Sequence, residues 1–204
     1  MGLYASEGNG KGGGYVPLEP GVYPAICYGV VDLGHHYSEQ FKKSSHKVLF
    51  MWELPGEEYE KDGKKGVKSI SKQFNLSLHE KSMLRPFLES IRGRKFTDEE
   101  LKKFDVFNVI GSMCQLNIVN VERNGKTRDE IASAIPMPKG SPKVAMTNAK
   151  IAYSIEDDIE FPETMPQWVQ DRIKQSEEFA AMQGDKVADA AEAMGGEVVE
   201  DAPF

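Results

Sequence analysis

The chain has 204 residues, of which 28% are charged and 40% hydrophobic, and it carries a net charge of −7. This composition fits one folded domain with extensions, and no apolar run reaches the length that a membrane-spanning helix needs. Two cysteines, Cys27 and Cys114, are too few for a disulfide framework or a zinc site, and they read as small buried strand residues in a reducing cytoplasm.

Residues 1–15 are Gly-rich and lack the apolar core of a signal peptide, so they read as a flexible arm. A strand is expected over 21–33, where β-branched and aromatic residues follow Pro20-Gly21; Gly29 within it suggests a bend or bulge. A polar loop over 34–45 carries His35, His36, Tyr37, Phe41, Lys42 and Lys43. The second strand, 46–54, alternates Val48, Phe50, Trp52 and Leu54 with Lys47, Leu49, Met51 and Glu53, and Pro55-Gly56 breaks it. Asp62-Gly63 is a hairpin turn signal. A third strand over 67–76 puts Lys68, Ile70, Lys72 and Phe74 on one face.

The period then becomes helical. Ser77 and Glu80 have capping-box spacing, Leu84, Phe87, Leu88 and Ile91 follow at helical intervals, and Gly93 ends the helix. Pro86 inside this span either kinks the helix or starts a second short one. Thr97 and Glu100 form a further capping box, with Phe96 and Leu101 as its hydrophobic staple, so a short helix is expected from Asp98 to near Phe104. A long hairpin follows, its strands over 113–122 and 126–135 joined by Asn124-Gly125.

Three strands, a helical insert and two strands describe a mainly β protein. The order fits a five-stranded Greek-key barrel of the OB type with the helical insert between strands three and four; an SH3-like barrel or a small β-sandwich are the alternatives. The folded body would span 16–153. A linker with a short amphipathic helix marked by Trp168, Ile173 and Phe179 would occupy 154–183, packing on the barrel or between subunits of a homo-oligomer. Residues 155–204 hold 14 acidic and 3 basic side chains, which leaves 22 basic against 18 acidic in the rest. The stretch over 184–204 is poor in large apolar residues and reads as a disordered acidic tail.

That tail ends Glu200-Asp201-Ala202-Pro203-Phe204. A Pro-Phe ending arises by chance about once in 400 chains of ordinary composition. It resembles the C-terminal tip of bacterial single-stranded DNA-binding proteins, which in that family docks on replication, recombination and repair proteins. The chemistry is intelligible on its own: Phe204 can fill an apolar pocket, its carboxylate can pair with Arg or Lys, and Glu200 and Asp201 can meet a basic rim.

The middle of the chain carries a second resemblance. Asn75-Leu76-Ser77-Leu78, Phe87-Leu88-Glu89-Ser90, Arg92-Gly93-Arg94, Cys114-Gln115-Leu116-Asn117-Ile118-Val119 and Asn124-Gly125-Lys126-Thr127 are similar to a group of bacteriophage early proteins read as OB-fold single-strand binders. The match covers about residues 20–140.

The resemblance implies sequence-tolerant binding of single-stranded DNA in a host bacterial cytoplasm, with cations following phosphates and aromatic rings stacking bases. In OB folds the ligand crosses strands two and three and the one-two and four-five loops. That surface selects Tyr37, Phe41, Lys42 and Lys43 in the first loop, Lys47 and Trp52 on strand two, Lys68, Lys72 and Phe74 on strand three, and Arg123, Lys126 and Arg128 in the last loop. Trp52 shares its face with Val48 and Phe50 and reads as core ahead of a stacking platform. Phe74 is also a core candidate, which would put Lys68 and Lys72 at the barrel's rim.

No cofactor motif is present: there is no P-loop, GxSxG, HExxH or Cys/His cluster, and His35, His36, His46 and His79 lack metal-ligand spacing and read as loop or surface residues. Asp105 and Asp129 are carboxylates that nothing in the sequence brings together. A protein-binding adaptor is the alternative to a DNA binder, and no Lys/Arg-rich helix suits a duplex groove.

Overall fold

A computed structural model describes residues 16–61, 63–157 and 160–183. The element order is β1 (Gly21–Ser38), β2 (Lys43–Lys61), β3 (Lys64–Asn75), α1 (Leu84–Arg92), α2 (Asp98–Lys102), a 3-10 turn (Val106–Val109), β4 (Met113–Arg123), β5 (Lys126–Pro136), β6 (Ile151–Tyr153) and α3 (Gln167–Ile173). The strands form one sheet in the order β3-β2-β1-β4-β5, antiparallel throughout, with β6 added in parallel to β1. No ladder joins β3 to β5, so the sheet is not closed. Its two ends nevertheless approach each other, because Lys72 on β3 donates from Nζ to the Ile131 carbonyl on β5. The expected five strands are present, and β6 is a sixth that three residues between loops do not announce.

β1 is longer than its apolar run implied. It continues to Ser38 through two register shifts, between Cys27 and Gly29 and between Asp32 and Gly34. Nearly every residue from Ala25 to Leu33 is buried, because this central strand is covered on both faces. Gly29 faces Ile151, and a Cβ there would lie 3.4 Å from the Ile151 Cβ, so the glycine lets β6 approach closely. β2 likewise outlasts its expected end. Pro55-Gly56 does not terminate it but forms a wide irregularity between Glu53 and Glu58, with Gly56 at φ 94°.

The expected helix start at Ser77 is not observed. The Ser77 hydroxyl accepts from the His79 N–H in a tight turn, and α1 begins at Leu84. Pro86 then falls in the first turn, where the missing N–H has no intrahelical partner to lose, so the helix is neither kinked nor split. Gly93 caps α1 in the left-handed conformation, and Thr97 and Glu100 form the expected reciprocal capping box of α2. Asn124 and Gly125 both adopt positive φ, as a two-residue primed turn requires.

Two hydrophobic clusters lie on opposite faces of the sheet. On the concave face Phe50, Trp52 and Phe74 pack with Leu84, Phe87 and Leu88 of α1, and Cys27 and Cys114 are buried among them. Trp52 stacks on Phe50 at 5.8 Å and meets the edge of Phe87 at 5.6 Å. On the convex face, Tyr28, Val31, Leu33, Leu49 and Met51 are covered by β6, Ile155, Met165, and Val169 and Ile173 of α3. Trp168 does not share this burial; it is exposed.

Glu53 fastens the convex layer. Its side chain is buried and accepts from the Thr147 N–H at 2.8 Å, the Asn148 N–H at 2.7 Å and the Asn148 side-chain amide at 2.8 Å. Hydrogen bonds to a charged group contribute about 1.5–3 kcal/mol each, and unpaired buried donors are costly. Glu53→Ala is therefore expected to lower unfolding free energy by roughly 3 kcal/mol or more. Urea denaturation checks this, and Glu53→Gln, which retains one carbonyl acceptor, should fall between the two.

Candidate functional site

The open seam between β3 and β5 is concave. A groove of about 850 Å³ is lined by Pro17, Ser69 to Ser71 of β3, and Lys126 to Asp129 of β5. It runs into a second hollow around the hairpin tip, bordered by Arg123, Asn124, Lys126 and Arg128. At the other end of β3 a cavity of about 300 Å³ is lined by Lys47, Lys72, Gln73, Phe74, Asn75, Lys81, Ser82 and Met83. The first and third hollows follow β3 from Ser69 to Asn75, a distance of roughly 20 Å at the usual strand rise, and the second lies beyond them on the β4–β5 hairpin, where Asp129 and Glu130 also line it.

The floor of this trough has a clear origin. Phe50 pairs with Lys72 and Val48 with Phe74 in the β2–β3 ladder, so Lys72 and Phe74 start from the concave, core-side face. Phe74 is buried there. Lys72 lies over the Phe74 and Phe87 rings at 5.9 and 5.8 Å and carries its ammonium out to the Ile131 carbonyl. Burial holds the Lys72 pKa below the usual lysine value, with Glu130 acting in the opposite direction. Lys47 projects from the convex side of β2 and donates to the Asn75 side chain at 2.5 Å. Burial lowers its pKa too, and the nearby Arg172 guanidinium adds to the effect.

Several cations among the described residues are engaged by carboxylates. Arg85 pairs with Glu89 at 3.2 Å, Arg92 pairs with Glu100, and Arg94 pairs with Glu100 at 2.7 Å. These arginines brace α1 and α2, with Arg92 also over the Phe96 ring at 4.3 Å. By contrast Lys47, Lys72, Lys81, Lys126 and Arg128 line the trough, and none is in an ion pair with a carboxylate among the described residues. Arg123 differs, since it pairs with Glu130 at 2.5 Å, although both groups are largely exposed.

The residues singled out in the sequence are thus distributed unequally. Lys47, Lys72, Arg123, Lys126 and Arg128 border the hollows along β3. Lys68 is half-buried beside the β2 irregularity. Tyr37, Phe41, Lys42 and Lys43 are exposed at the β1–β2 turn, where Lys42 has φ 46°. The turn itself is only 39–42, because the loop expected over 34–45 is mostly strand. Trp52 is 0% exposed and Phe74 is 5% exposed, so neither offers a ring face for stacking. Both lie on the core face, which corrects their selection as DNA contacts; for Trp52 the alternation with Val48 and Phe50 had pointed that way. Glu200, Asp201, Pro203 and Phe204 lie outside the described residues, as does the acidic tail.

Other groups were not foreseen. His36 is buried, not a loop residue, and its Nε2–H donates to the Leu33 carbonyl at 2.9 Å; burial and Arg172 lower its pKa. His35 donates to Glu178 from Nδ1 at 2.5 Å and from its backbone at 2.8 Å, and His46 pairs with Asp32 at 2.6 Å. These contacts link distant segments, so no local spacing could reveal them. No cluster of three His, Cys, Asp or Glu suited to a metal occurs among the described residues. Asp105 caps the 3-10 turn through the Phe107 N–H, and Asp129 accepts from the Leu18 N–H, so the two carboxylates have separate structural partners. No helix among the described residues is long and apolar enough to cross a membrane. No protein-family model matches this sequence, and no curated protein matches it.

The paired arginines generate a pH signature separate from the trough. Hydrogen bonds from Arg94, the Thr97 N–H and Arg92 hold the Glu100 pKa down to about 2. A depressed folded pKa means the carboxylate stabilises the fold above its ordinary value of 4.5 and loses that contribution as pH falls toward 2. Melting curves of the wild type and Glu100→Gln should therefore differ near neutrality and converge across that window. Parallel curves down to pH 2 would show that the ion pairs do not contribute.

Proposed function

We propose that this protein is a non-catalytic, largely sequence-independent single-stranded DNA-binding protein that takes the strand along the β3 trough. The observation that carries the reading is the set of cations gathered around the β3–β5 seam. Lys47, Lys72, Lys81, Lys126 and Arg128 line its hollows without a carboxylate ion pair among the described residues, while Arg123 at the hairpin tip is paired with Glu130. A row of unneutralised cations beside an elongated groove suits a polyanion whose charges are evenly spaced. Exposed Tyr37 and Phe41 at the β1–β2 turn supply ring faces near its Lys47 end, since Tyr37 pairs with Ser44 a few residues before Lys47 on the same hairpin.

The strand order also supports the reading. Five strands in the order β3-β2-β1-β4-β5, with helices between the third and fourth, agree with an OB-type barrel left open at the β3–β5 seam. In that arrangement the one-two and four-five loops take part in binding, and the basic four-five turn borders the second hollow here. The Glu200, Asp201, Pro203 and Phe204 tip would then recruit replication or recombination proteins to the coated strand.

Anisotropy titration of labelled oligo-dT tests the proposal. Affinity should fall with added salt, log K against log salt having a slope of about −0.7 per neutralised phosphate. Lys126→Ala with Arg128→Ala should weaken binding and reduce that slope by roughly 1.4. Arg94→Gln, which breaks a structural pair, should leave the slope unchanged. No binding at low ionic strength, or binding indifferent to salt, overturns the reading.

A second measurement addresses the tail. Deletion of residues 196–204 should leave oligo-dT affinity unchanged or raised while abolishing capture of partner proteins. Weakened DNA binding after that deletion would count against the separation of roles.

A further inference from the structure

The chain reverses direction tightly at the end of β3. The Leu76 N–H donates to the His46 carbonyl at 2.9 Å, which carries the β2–β3 pairing one bond further. The Ser77 hydroxyl then accepts from the His79 N–H at 3.2 Å, and the His79 carbonyl accepts from the Ser82 N–H at 2.9 Å. The Ser82 hydroxyl closes the turn by donating to the Ser77 carbonyl at 2.6 Å. Held in this way, Lys81, Ser82 and Met83 line one hollow of about 300 Å³ together with Lys72 to Asn75 of β3. Lys47 on β2, the ladder partner of Asn75, lines it too.

This hollow differs in charge from the other two. Asp129 lines both of those and Glu130 lines the second, whereas three lysines and no carboxylate line this one. Glu80 precedes Lys81 in the chain but is exposed and is not part of the lining. Lys47 donates to the Asn75 side-chain oxygen and Lys72 to the Ile131 carbonyl, and both acceptors are neutral. The ammonium charges are therefore not cancelled locally. Gathered like charges repel, and an anion placed among them replaces repulsion with attraction.

The donor set selects among anions. A planar carboxylate is matched best by the arginine fork, and no arginine lines the hollow. Lysines are compact point charges that can meet a tetrahedral group from several sides. The exposed Gln73 amide can add N–H donors, and Asn75, whose oxygen holds Lys47, keeps its own NH2 group to donate. We propose that this hollow is a phosphate seat, in which Lys47, Lys72 and Lys81, with the amides of Gln73 and Asn75, hold one phosphate of the bound strand. The inference rests on the trough being the strand's track, and it adds a localised contact to the diffuse attraction of the basic groove.

Amide chemical shifts of the full chain, followed during titration with inorganic phosphate, test the seat without DNA. Saturable shifts are expected at the Gln73 and Asn75 side chains and at the backbone of Lys81 to Met83, with none from acetate or chloride at equal ionic strength. Lys81→Gln alters an exposed side chain of the turn and should weaken phosphate binding by about tenfold; Gln73→Ala should act in the same direction. Inorganic phosphate should also displace oligo-dT more effectively than chloride at equal ionic strength. Lys81→Gln should abolish that excess and reduce the salt slope by about 0.7. Tighter binding of oligo-dT that bears a terminal phosphate, lost in Lys81→Gln, would identify the strand end as the source; equal affinities alongside phosphate-specific displacement would identify an internal phosphodiester. Absent or scattered shifts, or the same shifts with acetate, overturn the seat, while oligo-dT binding in that case leaves the trough reading standing. Localised phosphate shifts with no oligo-dT binding at low salt would overturn both the trough reading and the assignment of the phosphate to a strand.

Discussion

A buried carboxylate organises the convex half of this protein. Glu53 sits on β2 where the alternating pattern would place an outward side chain, and water is excluded from it. It is satisfied by three N–H donors from Thr147 and Asn148. Burying a charge is tolerable only with such compensation, so the segment after β5 is held where those donors can reach. Ile151 to Tyr153 can then pair with β1 at Gly29 to Val31, and the residues that follow can cover Leu49 and Met51. Without that tether a three-residue parallel strand has little reason to form, since parallel pairing across a long connection carries a large loop-closure cost.

Local signals in the sequence located most of the antiparallel framework. Asn124-Gly125 marked the β4–β5 turn, Thr97 and Glu100 marked α2, and alternation through Val48, Phe50, Trp52 and Leu54 identified the core face of β2. These features are visible because each depends on residues a few positions apart. The misplaced boundaries have the same explanation in reverse. Ser77 and Glu80 have capping spacing, but the Ser77 hydroxyl serves a turn, and α1 starts where Leu84 reaches the core. Pro55-Gly56 has the look of a strand end, yet cross-strand pairing resumes at Glu58 opposite Val67. Tertiary pairing overrides a local breaker when the partner strand continues.

The trough was legible only in part. Its cations were readable as a set, but their division into paired and unpaired members needs coordinates: Glu89 and Glu100 are near Arg85, Arg92 and Arg94 in sequence, while the trough lysines come from β2, β3, β5 and the turn before α1. Lys72 shows why pattern alone misleads. It shares a face with buried Phe74, which would condemn a lysine in a closed sheet, but the unpaired β3–β5 seam gives its ammonium an exit and an acceptor at Ile131. Trp168 is the converse case, a large apolar residue at helical spacing that reads as core and is exposed, with Val169 taking the buried position beside it.

The C-terminal layer is tied to the sheet at one further point, and that point bears on the trough. Residues 177–183 are helical, Glu177 meets the Ser44 hydroxyl, and Glu178 meets His35 through both its backbone and its ring. Gly34 makes this seat possible: at φ +75° a Cβ would lie 2.5 Å from the Glu178 Oε2 and 2.7 Å from the Ser176 Cβ. Ser44 and His35 belong to the hairpin that presents Tyr37, Phe41, Lys42 and Lys43. The same hairpin therefore anchors two acidic side chains of the C-terminal layer and, alongside them, exposes rings and lysines. With Glu53 fixing the entry to that layer and Gly34-His35 fixing its last described turn, α3 is held between two clamps. Arg172 on α3 thereby contributes, with burial, to lowering the Lys47 pKa on β2.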